Sequence, residues 1–314
     1  MIRVIAPSTE ADITAAVPSG PVIAVGVDPD DPESWLERAT FTLTENESSD
    51  PRLVTVDSVD KTLEEIETRC ARSPLAATIC DDVLRATAAC AELWPGLALE
   101  SLAYSTLQAG PEFRRWLDER GPKLVPEETT EAVLCSRSGD TLEISFNRPR
   151  RHNAFDNRTR AGLLDALTVA RLDPSVRAVH LRGAGPSFCS GGDLAEFGTF
   201  VDPAASHVAR TRHSPAQAID ELTRRLGREC RAFVHGRVLG SGLEMASFFG
   251  TVRAHPDTVF GLPELELGLI PGAGGTVSVT RRIGRWRTAY LVLTGRTITA
   301  TTALEWGLID EIGD

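Results

Sequence analysis

The chain has 314 residues, of which 42% are hydrophobic and 25% are charged, and its formal net charge is −11 at pH 7. At ~100–200 residues per domain, this length favours two domains over one, and the composition is that of an ordinary globular protein. The acidic balance argues against broad nucleic-acid binding, because phosphate contacts require a surplus of Lys and Arg.

The six cysteines include no C-x-x-C pair, so the sequence predicts neither a zinc site nor a thioredoxin-like motif, and no metal. The first residues carry one positive charge, Arg3, and resemble neither a signal peptide nor a transit peptide. No apolar run approaches the ~20 residues that a membrane-spanning helix needs. We therefore expect a cytoplasmic protein without a membrane partner.

Residues 1–125 are predicted to form a small domain of strands followed by helices. Runs of β-branched residues bounded by Pro and Gly predict strands at residues 2–6 and 22–27. Residues 41–44 and 53–56 are weaker strand candidates. A helical region is predicted from about residue 59 to 120, and Pro74, Pro95 and Pro111 are expected to divide it. Proline, glycine and acidic residues at 121–128 are typical of a linker.

A second pattern begins near Ala132 and alternates strands with helices. Residues 132–135 and 142–146 predict a hairpin around Gly139, and Asp156 is placed to cap the following helix. Further strands are predicted at residues 176–181, 232–235, 252–254 and 259–261, with helices around Leu222 and near residues 276–283 and 288–293. This alternation indicates an α/β domain.

Two glycine-rich segments, residues 188–194 (FCSGGDL) and 235–244 (HGRVLGSGLE), follow predicted strands and are expected to open helices. A chain that leaves a strand through glycines can direct backbone N–H groups into open space. Two such groups near helix N-termini can stabilise a developing oxyanion, although each segment alone is also compatible with a plain turn.

A third motif, residues 260–276 (FGLPELELGLIPGAGGT), follows these two segments, and the order of the motifs along the chain is informative. Together with residues 147–149 (NRP), 153–155 (NAF), 293–296 (LTGR) and 303–309 (ALEWGLI), the set resembles the enoyl-CoA hydratase/isomerase (crotonase) family over about residues 131–312. The resemblance implies an α/β fold in which a crotonase-like spiral of ββα units, residues 131–314, is preceded by the smaller N-terminal α/β and helical domain. It also implies an acyl-CoA substrate, no separate cofactor, and a homo-trimer or hexamer.

Carried over to matching positions, the resemblance implies that the N–H groups of Gly192 and Ser241 form an oxyanion hole. Serine replaces the family's usual glycine at position 241, which a backbone donor permits if its φ and ψ allow. The family's two catalytic carboxylates fall on Glu244, expected mainly to activate water, and Glu264, expected mainly to handle the proton at C2. Glu266 is a nearby competitor for the second role. Residues implied to contact the coenzyme are Arg150, Arg151, His152, Ser190, Asp193 and Leu194.

The leading interpretation is an acyl-CoA lyase that reversibly hydrates a 2-enoyl-CoA, since both glutamates are present. The alternatives are an enoyl-CoA isomerase, which needs one carboxylate, a cofactor-independent dioxygenase acting on an arylacetyl-CoA, and a dehydratase acting on an acyl-CoA or acyl-carrier protein in a biosynthetic pathway. A non-catalytic scaffold with the crotonase fold is a further alternative.

The sequence ends at Asp314, so the C-terminal helices typical of the family are expected to be absent. We hypothesise that the N-terminal helices, residues 59–120, replace them by covering the acyl pocket or making subunit contacts.

Overall fold

A computed structural model describes residues 2–5, 20–26, 35–124, 129–199 and 202–313. Its first sheet is parallel, and the described strands follow chain order: β1 (Arg3–Ile5), β2 (Val22–Val25), β3 (Phe41–Thr44) and β4 (Leu53–Thr55). A short helix, α1 (Trp35–Arg38), precedes β3. The four predicted strands are confirmed with slightly shorter bounds, while the predicted ends at residues 6 and 27 lie outside the described residues.

Four helices follow the sheet: α2 (Val59–Arg72), α3 (Pro74–Ala88), α4 (Leu93–Gln108) and α5 (Pro111–Arg120). Two of the predicted divisions are confirmed, because Pro74 and Pro111 each begin a helix. The division at Pro95 is also confirmed, since residues 89–92 separate α3 from α4 and Pro95 lies within the first turn of α4. Proline is tolerated there because the first N–H groups of a helix have no partner within the helix. Residues 125–128 of the predicted linker lie outside the described residues.

The six strands of the main sheet have the order β13-β10-β8-β7-β6-β5 in the part of the chain that is described, and β5 alone runs antiparallel to its neighbour. The strands are β5 (Val133–Ser138), β6 (Thr141–Phe146), β7 (Ala178–Gly183), β8 (Cys230–Val234), β10 (Thr251–Ala254) and β13 (Glu311–Ile312). The predicted hairpin is confirmed, as is the cap of helix α6 (Asn157–Leu172), where Asp156 accepts a hydrogen bond from the N–H of Thr159 at 2.7 Å. Helices α7 (Pro203–Arg212) and α8 (Pro215–Leu226) lie between β7 and β8 in the chain.

A small third sheet positions two loops beside one another. Strands β9 (Arg237–Leu239) and β11 (Val259–Gly261) are parallel, and β12 (Ile298–Thr299) pairs with β11 on its other side. The helix α9 (Ser241–Ala246) begins directly after β9, and the 3₁₀ helix Glu264–Leu267 begins shortly after β11. Because carboxyl ends of neighbouring parallel strands meet at one edge, both loops open on the same side.

The N-terminal helices pack against helix α10 (Gly275–Thr294), which is followed by α11 (Ala300–Glu305). Thr87 of α3 donates a hydrogen bond to the carbonyl of Thr276 at 2.9 Å, and Phe41 meets Tyr290 edge to face. The buried hydrophobic residues of both parts of the chain form one continuous cluster. The two predicted helices at 276–283 and 288–293 are joined into α10, which is interrupted at Gly284 (φ 79°).

Among the described residues, no helix combines the length and apolarity required to traverse a lipid bilayer. The boundary between a domain at 1–125 and another at 131–314 stays a prediction.

Candidate active site

The first glycine-rich segment forms a turn beside strand β9. Cys189 forms an isolated parallel β-bridge with Val238, and the N–H of Leu239 donates to the carbonyl of Cys189 at 3.0 Å. Gly191 has φ 98°, a backbone conformation that residues with a side chain rarely adopt, and Gly192 follows it in the turn. Among the described residues, the N–H of Gly192 has no hydrogen-bond acceptor.

The prediction that this segment opens a helix is wrong. Turns occupy residues 194–198, and the next helix, α7, begins only at Pro203. Asp193 does not cap a helix because its carboxylate lies between Arg148 (2.9 Å) and Arg151 (2.5 Å) and accepts from the N–H of Ala195. Burial alone would raise the pKa of Asp193, but the Ala195 N–H and Arg148 lower it below its usual value.

The second segment does open a helix. Gly240 has φ 47° and ψ −125°, and this bend places Ser241 at the first position of α9. The first N–H groups of a helix have no partner inside it, and the N–H of Ser241 has no acceptor among the residues described. The Gly191 and Gly240 turns touch, because a Cβ built on Gly191 would lie 3.9 Å from the Cα of Gly240.

Both turns border one cavity with about 1300 Å³ of empty space, including its open mouth. Its lining brings together Gly192, Ser241, Glu244 and Glu264. The N-terminal part of the chain contributes a wall from helix α4: Trp94, Leu97, Glu100, Ser101, Tyr104 and Gln108. One of the N-terminal helices thus lines the cavity; that these helices cover an acyl pocket stays a prediction.

Glu244 is 2% exposed and lies in the second turn's helix, α9. Its Oε2 atom accepts hydrogen bonds from the N–H groups of Ala273 (2.7 Å) and Gly275 (2.8 Å). Burial, followed by the charges of Glu100 and Glu264, raises the pKa of Glu244 well above its ordinary value, while the two N–H donors oppose that rise.

Glu264 lies at the start of the 3₁₀ helix, with its Oε1 against Gly240: a Cβ built on that glycine would be 2.6 Å away. Its Oε2 is shielded from solvent and has no hydrogen-bond partner within the described ranges. Burial raises the pKa of Glu264 to about 8, with a further contribution from Glu100. Glu266, the competitor in the sequence, is exposed and does not line the cavity.

A third carboxylate, Glu100, was not identified from the sequence. It is 2% exposed and accepts hydrogen bonds from the N–H of Gly274 (2.7 Å) and from the N–H and hydroxyl of Thr276 (2.9 and 2.7 Å). Burial raises its pKa to about 7, against the effect of these donors and of Arg210. One signal was available: Glu100 is the single charged residue of α4.

The positions expected to contact the coenzyme lie mostly outside the cavity lining. Arg150 is exposed, Arg151 is paired with Asp193, and the Nδ1 of His152 is 3.0 Å from the hydroxyl of Ser187. The N–H of Ser190 donates to the carbonyl of His152 at 3.0 Å. Of the six, Asp193 alone lines the cavity, and Leu194 is half-exposed beside Arg120, which donates to its carbonyl. Their roles in binding coenzyme A stay predictions.

Comparisons with known proteins identify relatives for the second part of the chain. The family model described as enoyl-CoA hydratase/isomerase matches residues 137–313. The 2,3-dehydroadipyl-CoA hydratase of Escherichia coli (strain K12) is 32% identical over 180 residues, which is 57% of this chain and 68% of that one. The mevalonyl-coenzyme A hydratase of Beauveria bassiana is 33% identical over 175 residues, 54% of this chain and 62% of that one.

Solved structures give the same result. The enoyl-CoA hydratase from Thermoplasma volcanium GSS1 has a TM-score of 0.50 at 29% identity, covering 59% of this chain and 73% of that one. The enoyl-CoA hydratase from Mycobacterium smegmatis has a TM-score of 0.51 at 26% identity, covering 58% and 69%. The predicted crotonase fold is thus confirmed, and the chain belongs to the enoyl-CoA hydratase/isomerase family.

Proposed function

We propose that this enzyme reversibly adds water to a 2-enoyl-CoA. The observation that carries the proposal is one cavity lined by the N–H groups of Gly192 and Ser241, which have no acceptor among the described residues, and by two glutamates, the buried Glu244 and the half-buried Glu264. Enzymes of this chemistry need both parts, because charge builds on the thioester oxygen while protons move at C2 and C3.

The two N–H groups are proposed to hold the thioester oxygen as it becomes an enolate oxygen. Preorganised donors of this kind stabilise the transition state because they need no reorientation, and removing one typically costs ~3–4 kcal/mol of activation free energy. Since the donors belong to the backbone, the side chain of Ser241 does not prevent this role.

The glutamates are proposed to supply the acid and the base. Three neighbouring carboxyls with raised pKa values, Glu100, Glu244 and Glu264, oppose ionisation of the whole cluster at neutral pH, so the cluster retains at least one proton. The N–H groups of Ala273 and Gly275 oppose the rise in the pKa of Glu244, and we assign this glutamate, in its ionised form, the role of the base that activates water at C3. Glu264, whose Oε2 has no donor among the described residues, suits the acid that protonates C2.

The names of the relatives support the same reaction class, since the E. coli and B. bassiana proteins are both described as hydratases of CoA thioesters. The segment that the family model matches, residues 137–313, includes all four groups proposed to react, Gly192, Ser241, Glu244 and Glu264.

The proposal is tested by mixing purified protein with crotonyl-CoA and following the loss of the conjugated thioester's absorbance. We expect a 3-hydroxyacyl product, and a fall in kcat of about 10²-fold or more in each of Glu244→Gln and Glu264→Gln. Glu266→Gln is the matched control, because this glutamate lies two residues away and is exposed. Wild-type activity in either cavity variant, or conversion of a 3-enoyl-CoA to a 2-enoyl-CoA without any hydroxy product, would contradict the proposal.

A further inference from the structure

Arg160, in helix α6, lines the cavity and is partly buried. Within the described residues its guanidinium makes no hydrogen bond and no ion pair. Burial lowers the pKa of Arg160, while the carboxylates of Glu196 and Asp156 and the Tyr104 phenol favour its charged form. An arginine remains charged in a protein and presents five N–H donors, so Arg160 has donors to offer to a ligand that enters the cavity.

A second cation, Arg210 of helix α7, lines the same cavity. Its donors meet uncharged groups: the Ser101 hydroxyl at 3.2 Å, the Gln108 side-chain oxygen at 3.1 Å, and the Ser105 hydroxyl. Its guanidinium also lies 4.5 Å from the centre of the Tyr104 ring. No carboxylate of the described residues lies within 4.0 Å of it, so its charge is not neutralised by a direct ion pair.

The nearby carboxylates are engaged elsewhere. Glu196 accepts from the N–H of Asn157 at 3.0 Å and makes no ion pair with Arg160 in the described structure. Glu100 is held by Gly274 and Thr276 at the start of α10. The cavity therefore presents two positive charges that lack direct partners, together with a set of carboxyls whose raised pKa values favour their neutral forms.

We infer that the acyl group of the substrate ends in a carboxylate, which Arg160 binds with Arg210 contributing a second charge. This inference rests on the proposed function for the reacting end of the thioester. The cavity is lined by the proposed reacting groups Gly192, Ser241, Glu244 and Glu264, so the acyl part that carries C2 and C3 enters it. Arginine matches a carboxylate with two parallel hydrogen bonds, and such a bond is strong where water is scarce.

The test compares 2-enoyl-CoA thioesters of five to eight carbons that end in a carboxylate with methyl-ended thioesters of the same length. We expect the wild type to prefer the carboxylate-ended series in kcat/KM. In Arg160→Met the kcat/KM for that series falls at least ~30-fold, while the value for the methyl-ended series changes less than ~3-fold. Arg160→Lys, which keeps the charge, restores part of the preference.

Arg158→Met is the matched control, because Arg158 lies on the same helix, is exposed, donates to the carbonyl of Thr130 and does not line the cavity. We expect it to retain the wild-type preference. A wild-type preference for methyl-ended thioesters, or an equal loss for both series in Arg160→Met, would overturn the inference. Equal loss would mean that Arg160 serves the coenzyme or the fold.

Binding separates this inference from the proposed function. Titration calorimetry with saturated ω-carboxyacyl-CoA and acyl-CoA thioesters of equal length needs no turnover. Tighter binding of the carboxylate-ended thioester by the wild type, lost in Arg160→Met, upholds the inference even if no thioester is hydrated. Equal Kd values for the two saturated thioesters would overturn it even if crotonyl-CoA is hydrated rapidly.

Discussion

Glu100 and Glu244 divide between them the four consecutive backbone N–H groups of residues 273–276. Glu244 accepts from residues 273 and 275, and Glu100 accepts from residues 274 and 276. These N–H groups lead into α10, whose N-terminal dipole favours negative charge nearby. One glutamate thus comes from α9 and the other from α4 in the N-terminal part of the chain, so that part contributes directly to the electrostatics of the cavity.

Glu100→Gln is expected to lower the pKa of Glu264, because the charge of Glu100 raises it. If the protonated form of Glu264 is the active acid, the alkaline limb of the pH–rate profile moves to lower pH. The amide also places an NH₂ group against one of the N–H donors, which costs about 1–3 kcal/mol of unfolding free energy. Rate profiles with crotonyl-CoA and urea melts measure the two effects. The exposed Glu67→Gln is the control, and a profile that stays in place would exclude the coupling.

The stability of the fold should fall as pH rises from about 5 to above 8. Burial raises the folded-state pKa of Glu264 to about 8 and of Glu100 to about 7, above the ordinary glutamate value of 4.5. A raised folded-state pKa means that the folded state binds the proton more tightly, so this contribution is complete below pH 4.5 and is lost as pH rises through the folded pKa.

Each unit of pKa difference corresponds to about 1.4 kcal/mol. Glutamine cannot ionise, so Glu264→Gln removes part of this pH dependence. Urea melts at about pH 5.5 and about pH 8.5 should therefore show that the unfolding free energy of the variant rises relative to that of the wild type at the higher pH. A constant difference in unfolding free energy across this range would show that Glu264 titrates normally in the folded protein.

Gly240→Ala should abolish the proposed hydratase activity. A Cβ at this position would lie 2.6 Å from Oε1 of Glu264, and the φ of 47° is unfavourable for a side chain. The added methyl group therefore displaces both the carboxylate and the turn that presents the Ser241 N–H. Gly139→Ala is the control, because Gly139 also has a positive φ (62°) but nothing lies within 4 Å of an added Cβ. This variant therefore introduces the backbone strain without the steric clash. Similar kcat values for the two variants would refute this explanation.

Arg148→Met should destabilise the fold by about 3–5 kcal/mol. The Arg148 side chain is 2% exposed and pairs with Asp156 at 3.2 Å and Asp193 at 2.9 Å, so its loss leaves two buried carboxylates without this partner. Urea denaturation measures the change. For comparison, Arg72→Met removes an exposed ion pair with Glu119 and should cost less than about 1 kcal/mol. Equal costs for the two substitutions would mean that the buried pairs add no stability.

The local elements of this protein were predictable because their signals are local. Alternating apolar residues and turn glycines predicted the hairpin of β5 and β6, and Asp156 predicted the start of α6 at the next residue, Asn157. One local signal was ambiguous and its prediction failed: the glycine-rich segment 188–194 was expected to open a helix, and turns occupy residues 194–198 instead.

The candidate site residues were identified from the sequence only through the order of several motifs. Their proximity in space depends on the parallel register of β9 and β11, which brings Glu264 against Gly240. Glu100, Arg160 and Arg210 carry no such motif. Glu100 meets Gly274 across 174 residues of chain, and only the packing of α4 against α10 and α7 creates that contact. The sequence by itself therefore determined most of the elements, the family and the choice of Glu244 and Glu264 as the candidate pair, whereas the tertiary structure decided which further charges share their cavity, because burial and neighbouring charge depend on residues far apart in the chain.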